Sequence, residues 1–217
     1  MKTFLSIGSG PGIGFATAER FAREGFRVVL SARNAANTKE LAAQLNAKGN
    51  TAEARTVDAT DPSSVSFLIG EVEKQFGAID VLHYNAAPTR KATLAEQPRD
   101  SFNADFSVSV GGALVAVQDA TAIMSRVQAG TILLTGSGYA LQPNADYISL
   151  SVGKAGIRAL ALGLFESLKE KNIHVATVTV AALVVPGSRA AEEVAQQFWQ
   201  LHNEPKDSWS VERMYAG

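Results

Sequence analysis

Short apolar runs alternate with longer amphipathic stretches along most of the chain. The apolar runs are rich in β-branched residues and few of them alternate with polar residues, which is typical of strands buried on both faces of a sheet. They predict strands at residues 4–7, 27–30, 54–57, 79–83, 131–134 and 175–180. The stretches between them predict helices at residues 14–24, 36–48, 62–76, 100–126 and 146–171.

The boundaries of these elements carry their own signals. Asp61 followed by Pro62 is typical of an N-cap and a first helical position. Gly25, Gly49 and Gly77 each follow a predicted helix, as C-terminal caps do. Repeated strand–helix–strand units need right-handed crossovers and a parallel sheet. We therefore expect a doubly wound, Rossmann-type α/β fold in a single domain spanning residues 1–217, with a less regular end that holds a helix at 188–201 and a short strand at 211–215.

Composition narrows the class of protein. The chain has 217 residues, of which 46% are hydrophobic and 19% charged, as in a folded soluble domain. Its net charge of −1 gives no electrostatic reason to expect nucleic acid or a membrane as partner. Cysteine is absent, which excludes disulfides and thiol chemistry and fits a cytoplasmic protein. The first apolar run is strand-sized, too short for the apolar region of a signal peptide.

A glycine-rich loop lies between the first strand and the first helix. It contains Gly8, Gly10, Gly12 and Gly14, with Ser9 and Ile13 between them. The N-terminus of a helix has unpaired N–H groups and a partial positive charge, and glycine lets backbone approach a phosphate closely. In this strand-to-helix context the loop predicts a bound dinucleotide.

The ends of the next strands predict which dinucleotide binds. An acidic residue near the end of the second strand usually reads a free ribose hydroxyl, but this chain has Arg33 there. A cation suits a 2′-phosphate, so NADP(H) is favoured over NAD(H), although a solvated surface arginine is the alternative. Asp58 and Ala59 end the third strand, where the carboxylate could accept from adenine. Asn85 and Ala86 end the fourth, among small residues that leave room for a ligand.

The chain resembles the short-chain dehydrogenase/reductase family over residues 1–185. The resemblance is carried by the glycine motif, Asp58, the turn Asn85-Ala86-Ala87, Ser137 after the fifth strand, and Lys154 followed by Ala155-Gly156. It implies that Ser137 orients a substrate carbonyl, that Lys154 binds the nicotinamide ribose, and that the backbone of Leu183 holds the carboxamide. Residues 185–217 would replace the family's variable substrate segment.

Several positions depart from the family pattern. Four residues before Lys154, where the resemblance places a tyrosine acid, the chain has Leu150. Leucine cannot exchange a proton, so a bound carbonyl would need another donor: water, Tyr147 or Tyr139. Further departures are Ser109 in place of an asparagine, the pair Val180-Ala181 in place of Pro-Gly, and Val185 in place of a threonine.

Two interpretations of the whole chain follow. One is an NADP(H)-dependent oxidoreductase that transfers hydride to or from a small carbonyl or alcohol with a non-standard proton donor. The other is a non-catalytic NADP(H)-binding redox sensor or regulatory protein of the same fold. The three histidines are scattered, so we expect no metal site. Small residues on the two long helices, together with the resemblance, imply a homodimer or homotetramer. The aromatic residues near Trp199 and Trp209 are interpreted as core or interface, with a substrate mouth as the alternative.

Overall fold

The computed structural model describes residues 1–217 and contains one parallel sheet of seven strands. The strand order is β3-β2-β1-β4-β5-β6-β7. Successive strands are added on one side of β1 up to β3 and on its other side from β4 onwards, so the order switches between β1 and β4. This arrangement confirms the predicted doubly wound fold. The strands are β1 (Thr3–Ile7), β2 (Arg27–Ala32), β3 (Ala52–Thr56), β4 (Val81–Tyr84), β5 (Gly130–Ser137), β6 (Ile173–Val180) and β7 (Glu212–Tyr215).

Helices cover both faces of the sheet because successive strand residues point to opposite sides. Phe4 packs with helices on one face and its neighbour Leu5 packs with those on the other. The first face carries α1, α2 and α7, and the second carries α3, α5 and α6. The helices are α1 (Ile13–Ala22), α2 (Ala35–Ala47), α3 (Pro62–Phe76), α4 (Ser101–Phe106), α5 (Gly112–Val127), α6 (Ile148–Glu170) and α7 (Arg189–His202).

The predicted helix boundaries are confirmed at their caps. Asp61 accepts a hydrogen bond from the backbone N–H of Ser63 at 2.9 Å, with Pro62 opening the helix. Gly77 is the C-cap of α3, whereas α1 and α2 end at the C-caps Arg23 and Lys48, just before Gly25 and Gly49. All three glycines have positive φ angles, of +80° (Gly25), +81° (Gly49) and +78° (Gly77), a conformation that residues with a Cβ rarely adopt. Glycine at these positions lets the chain turn at once from each helix into the next strand.

The single helix predicted at residues 100–126 is wrong: α4 and α5 are separated by a π-helical turn, Ser107–Gly111. The wider turn lets the hydroxyl of Tyr84 donate to the carbonyl of Val108 at 2.5 Å. A Cβ on Gly112 would stand 2.4 Å from the carbonyl oxygen of Ala59, after β3, and 2.6 Å from the hydroxyl of Tyr84 on β4. A one-residue insertion of this kind leaves the apolar periodicity on either side almost unchanged, so the sequence does not reveal it.

Two helical stretches, residues 101–127 and 148–170, reach a mean hydropathy of 1.4, which a membrane span can also show. In this fold both lie against the sheet and contribute to its core, where Ala113, Ala116 and Ile157 are buried. Core helices of soluble proteins commonly have the same composition. Packing on the sheet therefore accounts for the apolar residues on their inner faces.

The C-terminal segment completes the core on the face that carries α1. Phe198 of α7 is fully buried and its ring lies 4.9 Å from that of His83. Trp199 packs edge-on against Phe21, and Trp209 stacks on His174 at 4.6 Å. Phe198 is therefore a core residue, whereas Trp199 and Trp209 pack at the edge of the core and stay partly exposed. None of them lines the cleft described below.

Candidate active site

A cleft of about 530 Å³ opens at the carboxyl ends of the strands, where the strand order reverses. Open α/β sheets bind their ligands at this position, because the helices on either side diverge there. The cleft runs from the N-termini of α1 and α2 to the first turns of α6. Among the side chains that line it, only Arg33 and Lys154 are ionisable.

The glycine loop forms the floor of the cleft, and its glycines have two different roles. Gly8 has a φ of +88°, and a Cβ there would lie 2.3 Å from the backbone nitrogen of Ala86, so the fold itself requires glycine. A Cβ on Gly10 or Gly12 would meet no protein atom within 4 Å. Glycine at these two positions instead leaves open space on the cleft side, where a ligand could approach the backbone.

The start of α1 presents donors to this space. The backbone N–H groups of Gly12, Ile13 and Gly14 make no hydrogen bond within the protein. The first turn of the helix contains no acidic side chain that would neutralise its positive end. Unpaired donors at the positive end of a helix suit a phosphate, so the loop fits the pyrophosphate of a dinucleotide.

Two side chains brace the loop from below. Asn85 donates from Nδ2 to the carbonyl oxygen of Gly8 at 2.8 Å. Ser9 is buried and donates to the carbonyl of Ser6 at 3.1 Å while accepting from the N–H of Ser31 at 3.1 Å. The structure therefore uses both side chains to hold the loop, which sequence reasoning assigned only to ligand binding.

Arg33 lies at the other end of the cleft, next to the first turn of α2. Its guanidinium is exposed and makes no hydrogen bond or salt bridge. Asn34 caps α2 by accepting from two backbone N–H groups, and Asn37 lines the same corner. A free cation at the positive end of a capped helix can pair with a dianionic phosphate.

Asp58 is not among the residues that line the cleft, although its neighbours Val57 and Ala59 are. Its carboxylate accepts from the N–H and the hydroxyl of Thr60 at 2.9 and 2.7 Å. These two hydrogen bonds are the main cause of a lowered pKa for Asp58. The structure therefore shows the carboxylate engaged in a turn at the margin of the cleft.

Lys154 is buried at the inner end of the cleft, together with Ser137. Its ammonium donates to the carbonyl oxygen of Thr135 at 2.5 Å. The hydroxyl of Thr135 lies 3.0 Å from Nε2 of His83, whose Nδ1 lies 3.4 Å from the hydroxyl of Ser6. A chain of buried polar groups thus crosses β1, β4 and β5 directly beneath Lys154.

Burial controls the protonation of this cluster. Desolvation lowers the pKa of Lys154 to about 8. The pKa of His83 falls to about 3, first because the ring is buried and second because Lys154 carries a positive charge nearby. His83 is therefore neutral over the physiological range, and Lys154 can gain or lose a proton near neutral pH.

Leu150 lies one helical turn before Lys154 and lines the cleft beside it. Its side chain is only 8% exposed. Tyr147 caps α6, and its ring stacks on that of Tyr139 at 5.6 Å. Neither of these two tyrosines lines the cleft, and both side chains are partly exposed.

The segment after β6 alternates its side chains between the cleft and solvent. Ala182 and Val184 line the cleft, whereas Leu183 is 88% exposed and Val185 is also exposed. An apolar pattern with a period of two shows which residues share a face but not which face meets the ligand. Ser109 is buried without a hydrogen-bond partner and packs against the backbone of Gly153, outside the cleft.

Most of the predicted site residues therefore meet in one cleft. The residues brought together are Gly8, Ser9, Gly10, Gly12, Ile13, Gly14, Arg33, Ala59, Asn85, Ala86, Ser137 and Lys154. The side chains of Asp58, Leu183, Tyr139 and Tyr147 do not line it, and the role of the Leu183 backbone stays a prediction. Sequence reasoning missed Asn37, which lies in the first turn of α2 and lines the cleft. It also missed Thr135 and the buried His83 beneath Lys154, because the pairing of β4 with β5 brings these two together. No group of His, Asp and Glu side chains is arranged to hold a metal ion.

Comparison with known proteins agrees with this arrangement. A family model described as short chain dehydrogenase matches residues 2–196. An uncharacterized oxidoreductase of Bacillus subtilis, YxjF, is 30% identical over 208 residues, covering 94% of this chain and 78% of its own length. The 3-oxoacyl-[acyl-carrier-protein] reductase FabG of Thermotoga maritima is 25% identical over 90% of this chain and 80% of its own length.

Solved structures show the same fold. A metagenomic short-chain oxidoreductase in complex with NADP superposes with a TM-score of 0.90, at 22% identity over 99% of this chain and 96% of that chain. A short-chain dehydrogenase from Rhodopseudomonas palustris gives a TM-score of 0.89, at 26% identity over 99% of this chain and 97% of that chain. With the matching family model, the sheet order and the glycine-floored cleft, the chain belongs to the short-chain dehydrogenase family of oxidoreductases.

Proposed function

We propose that this protein is an NADP(H)-dependent oxidoreductase that reduces a small carbonyl compound or oxidises the corresponding alcohol. The proposal depends on one observation: a single cleft contains the open glycine loop, the free Arg33 and the pair Ser137 and Lys154. A bound nicotinamide cofactor would supply hydride chemistry. The protein would bind its phosphates at α1, hold its ribose with Lys154 and orient a carbonyl oxygen with the hydroxyl of Ser137.

The preference for NADP(H) rests on Arg33. A charge-assisted hydrogen bond to a phosphate contributes about 1.5–3 kcal/mol, so removing it should weaken binding roughly tenfold or more. Fluorescence titration of Arg33→Ala should show this loss for NADPH and little change for NADH. Arg23→Ala is a matched control, because Arg23 is an exposed arginine paired with Glu19 in α1. Equal loss for both cofactors would count against a phosphate role.

A proton donor other than a tyrosine at position 150 is part of the proposal. Leu150 fills the place one turn from Lys154 with an apolar side chain. The purified protein should oxidise NADPH in the presence of some member of a panel of aldehydes, ketones and quinones. Demonstrated NADPH binding without turnover on the whole panel would refute the catalytic proposal.

A second candidate function is a non-catalytic NADP(H)-binding sensor or regulator, which Leu150 favours. General acid catalysis typically contributes about 10²–10⁴-fold, so its loss would leave a poor reductase. The variant Leu150→Tyr separates the two. If the wild-type protein is inactive and Leu150→Tyr reduces a carbonyl with NADPH, the native site binds the cofactor but lacks a general acid. That result would support the sensor. Efficient turnover by the wild type would exclude the sensor.

We also propose that two or four copies associate through α5 and α6. These helices keep an outward apolar face that includes Leu114, Val152 and Leu162, each between 40% and 50% exposed. A face of this kind is costly to leave in water. Sedimentation velocity of wild type and Leu162→Glu should show an assembly that the substitution weakens. A cytoplasmic location and a small-molecule substrate as the only partner stay predictions.

A further inference from the structure

Only two ionisable side chains, Arg33 and Lys154, line the cleft in which the proposed carbonyl reduction would take place. Reduction of a carbonyl requires a proton at oxygen as well as a hydride at carbon. Among the residues that line the cleft, Arg33 holds its proton at every physiological pH and lies at the opposite end. The hydroxyls present, such as that of Ser137, are far too weakly acidic to release a proton readily. Lys154 is the remaining group.

We infer that Lys154 itself is the proton donor to the substrate oxygen, an inference that rests on the oxidoreductase function proposed above. Its ammonium has three N–H bonds, and the protein accepts only one of them, through the carbonyl of Thr135. The other two are free for a ligand. Because Leu150 fills the position one turn before Lys154, no tyrosine hydroxyl lies beside the ammonium on α6.

The surroundings of Lys154 make its ammonium a stronger acid than an ordinary lysine. Burial lowers its pKa to about 8, near the pH at which a general acid is most effective. His83, on β4, is neutral and gives no compensating negative charge. The charged groups on the other elements that pack against α6 are already paired. Asp105 of α4 accepts from Gln97, Ser149 and Arg90, and Glu212 of β7 accepts from Arg158 and Thr179.

The step conserves charge within the buried site. A bound reduced nicotinamide would supply a hydride with its two electrons to the carbonyl carbon, and the carbon–oxygen π bond would break. Lys154 would deliver a proton to the oxygen, directly or across one bridging hydroxyl or water. The products are the alcohol, the oxidised nicotinamide and the neutral lysine amine, which regains a proton from water. One positive charge is present before and after the step, so two adjacent buried cations are avoided.

The two nearby tyrosines are the alternatives. Tyr139 and Tyr147 stack on each other outside the cleft, so each would have to leave this pair to reach a substrate. The variants Tyr139→Phe and Tyr147→Phe remove only the hydroxyl and preserve the stack. Under our proposal both should keep wild-type turnover within about threefold.

The decisive variant is Lys154→Arg, which keeps a positive charge for the ribose but cannot release a proton near neutral pH. With NADPH and the best carbonyl of the panel that wild-type protein reduces, turnover should fall about 10²–10⁴-fold. The dissociation constant for NADPH should change less than tenfold. The double variant Leu150→Tyr with Lys154→Arg should regain part of the turnover, because the tyrosine supplies the missing proton.

A second readout does not depend on turnover. In protein labelled with ¹³C at the lysine ε-carbons, one resonance that is absent from Lys154→Arg should titrate near pH 8, while the others titrate near pH 10. Wild-type reduction should decline above that pH, as the ammonium disappears. Undiminished turnover by Lys154→Arg, or a hundredfold loss in either tyrosine variant, would overturn the lysine donor alone. NADPH binding without any wild-type turnover would overturn the oxidoreductase function, and the donor with it.

Discussion

The Nε2 atom of His83 lies 3.0 Å from the hydroxyl of Thr135. The carbonyl oxygen of the same threonine accepts a hydrogen bond from the ammonium of Lys154. The imidazole is fully buried between β1 and β5 and hydrogen-bonds on both sides. A neutral histidine thus supports the acceptor of a buried cation. Protonating this ring would place a second positive charge beside Lys154, and this is the reason to expect an acid-sensitive fold.

We predict that the free energy of unfolding falls as the pH drops below about 6.5. Unfolded histidine titrates near that value, whereas burial lowers the pKa of His83 to about 3 and that of His202 to about 4. Between these values the unfolded state binds more protons, so stability is complete above pH 6.5 and is lost as the pH falls towards 3. Each histidine contributes at most about 1.4 kcal/mol per pH unit.

The measurement is urea unfolding at pH 7, 6, 5 and 4.5 for the wild type and His83→Leu. The substitution leaves the hydroxyls of Ser6 and Thr135 unpaired, so its absolute stability is expected to be lower. Its slope with pH should nevertheless be shallower, because only His202 then contributes a large step. An unchanged slope would show that His83 is already protonated, or solvated, in the folded protein.

A second prediction separates the roles of two loop glycines. Gly8→Ala places a Cβ 2.3 Å from the nitrogen of Ala86 at a φ of +88°, so we expect a loss of about 2–4 kcal/mol in unfolding free energy. Gly10→Ala meets no protein atom within 4 Å and should keep nearly wild-type stability. Thermal unfolding measures both effects.

NADPH titration of the same pair completes the comparison. Gly10→Ala should weaken binding at least tenfold although its fold is intact, because its methyl group occupies the space where a phosphate would lie. If Gly10→Ala bound NADPH as tightly as the wild type, the open space above the loop would not be the phosphate site. If Gly8→Ala were as stable as Gly10→Ala, the close approach to Ala86 would not constrain the fold.

We predict that Asn85 supports cofactor binding indirectly, by holding the glycine loop in place. Its Nδ2 donates to the carbonyl of Gly8 at 2.8 Å, and a Cβ on Gly14 would lie 3.1 Å from the same nitrogen. Asn85→Asp replaces this donor with an acceptor that faces a carbonyl oxygen. We expect a loss of about 1–3 kcal/mol in stability and weaker binding of both NADPH and NADH.

Asn37→Asp is a useful comparison, because it places a similar change at the far corner of the cleft. There a new negative charge near Arg33 should weaken NADPH binding more than NADH binding. Asn85→Asp should weaken the binding of NADPH and NADH equally, whereas Asn37→Asp should weaken NADPH binding more. This pattern would support placing the pyrophosphate at the glycine loop and the 2′-phosphate near Arg33. The opposite pattern would reverse the orientation of the dinucleotide in the cleft.

The sequence predicts much of this arrangement because local signals and the global fold agree. The strands, the caps at Asp61 and Gly77, and the glycine loop each follow from chemistry within a few residues. The remaining features depend on contacts between distant elements. The π-helical turn lies where the hydroxyl of Tyr84 donates to the carbonyl of Val108 from a distant strand. Which residues of the segment after β6 face the cleft depends on how that segment lies on the sheet.

The site shows the same division. The family resemblance identifies Lys154 and the position of Leu150 four residues before it, and both lie on one face of a helix. Only the folded structure shows that Tyr139 and Tyr147 pair with each other outside the cleft, and that Asp58 is engaged by Thr60. Side-chain direction at the end of an element is decided by its partners, and these partners are not adjacent in sequence.

The last prediction concerns the energetic cost of Lys154. Its pKa is about 8 in the folded protein and about 10.5 when unfolded, because burial disfavours the charged form. Below pH 8 both states hold the proton, so the full cost of burying the charge is present. Between pH 8 and 10.5 the folded state releases its proton while the unfolded state keeps it, so this cost declines as the pH rises.

Lys154→Met should therefore be more stable than the wild type at pH 7, by about 1–3 kcal/mol after loss of the hydrogen bond to Thr135. The gain should shrink at pH 10, where the wild-type lysine is largely neutral. Urea unfolding at pH 7 and pH 10 measures this difference in unfolding free energy. Lys39→Met is the control, because Lys39 lies on the exposed surface of α2. A destabilised Lys154→Met with no dependence on pH would mean that the ammonium is better solvated than its burial implies. A stabilised but inactive variant would show that the protein keeps this charge for its function, at the expense of its stability.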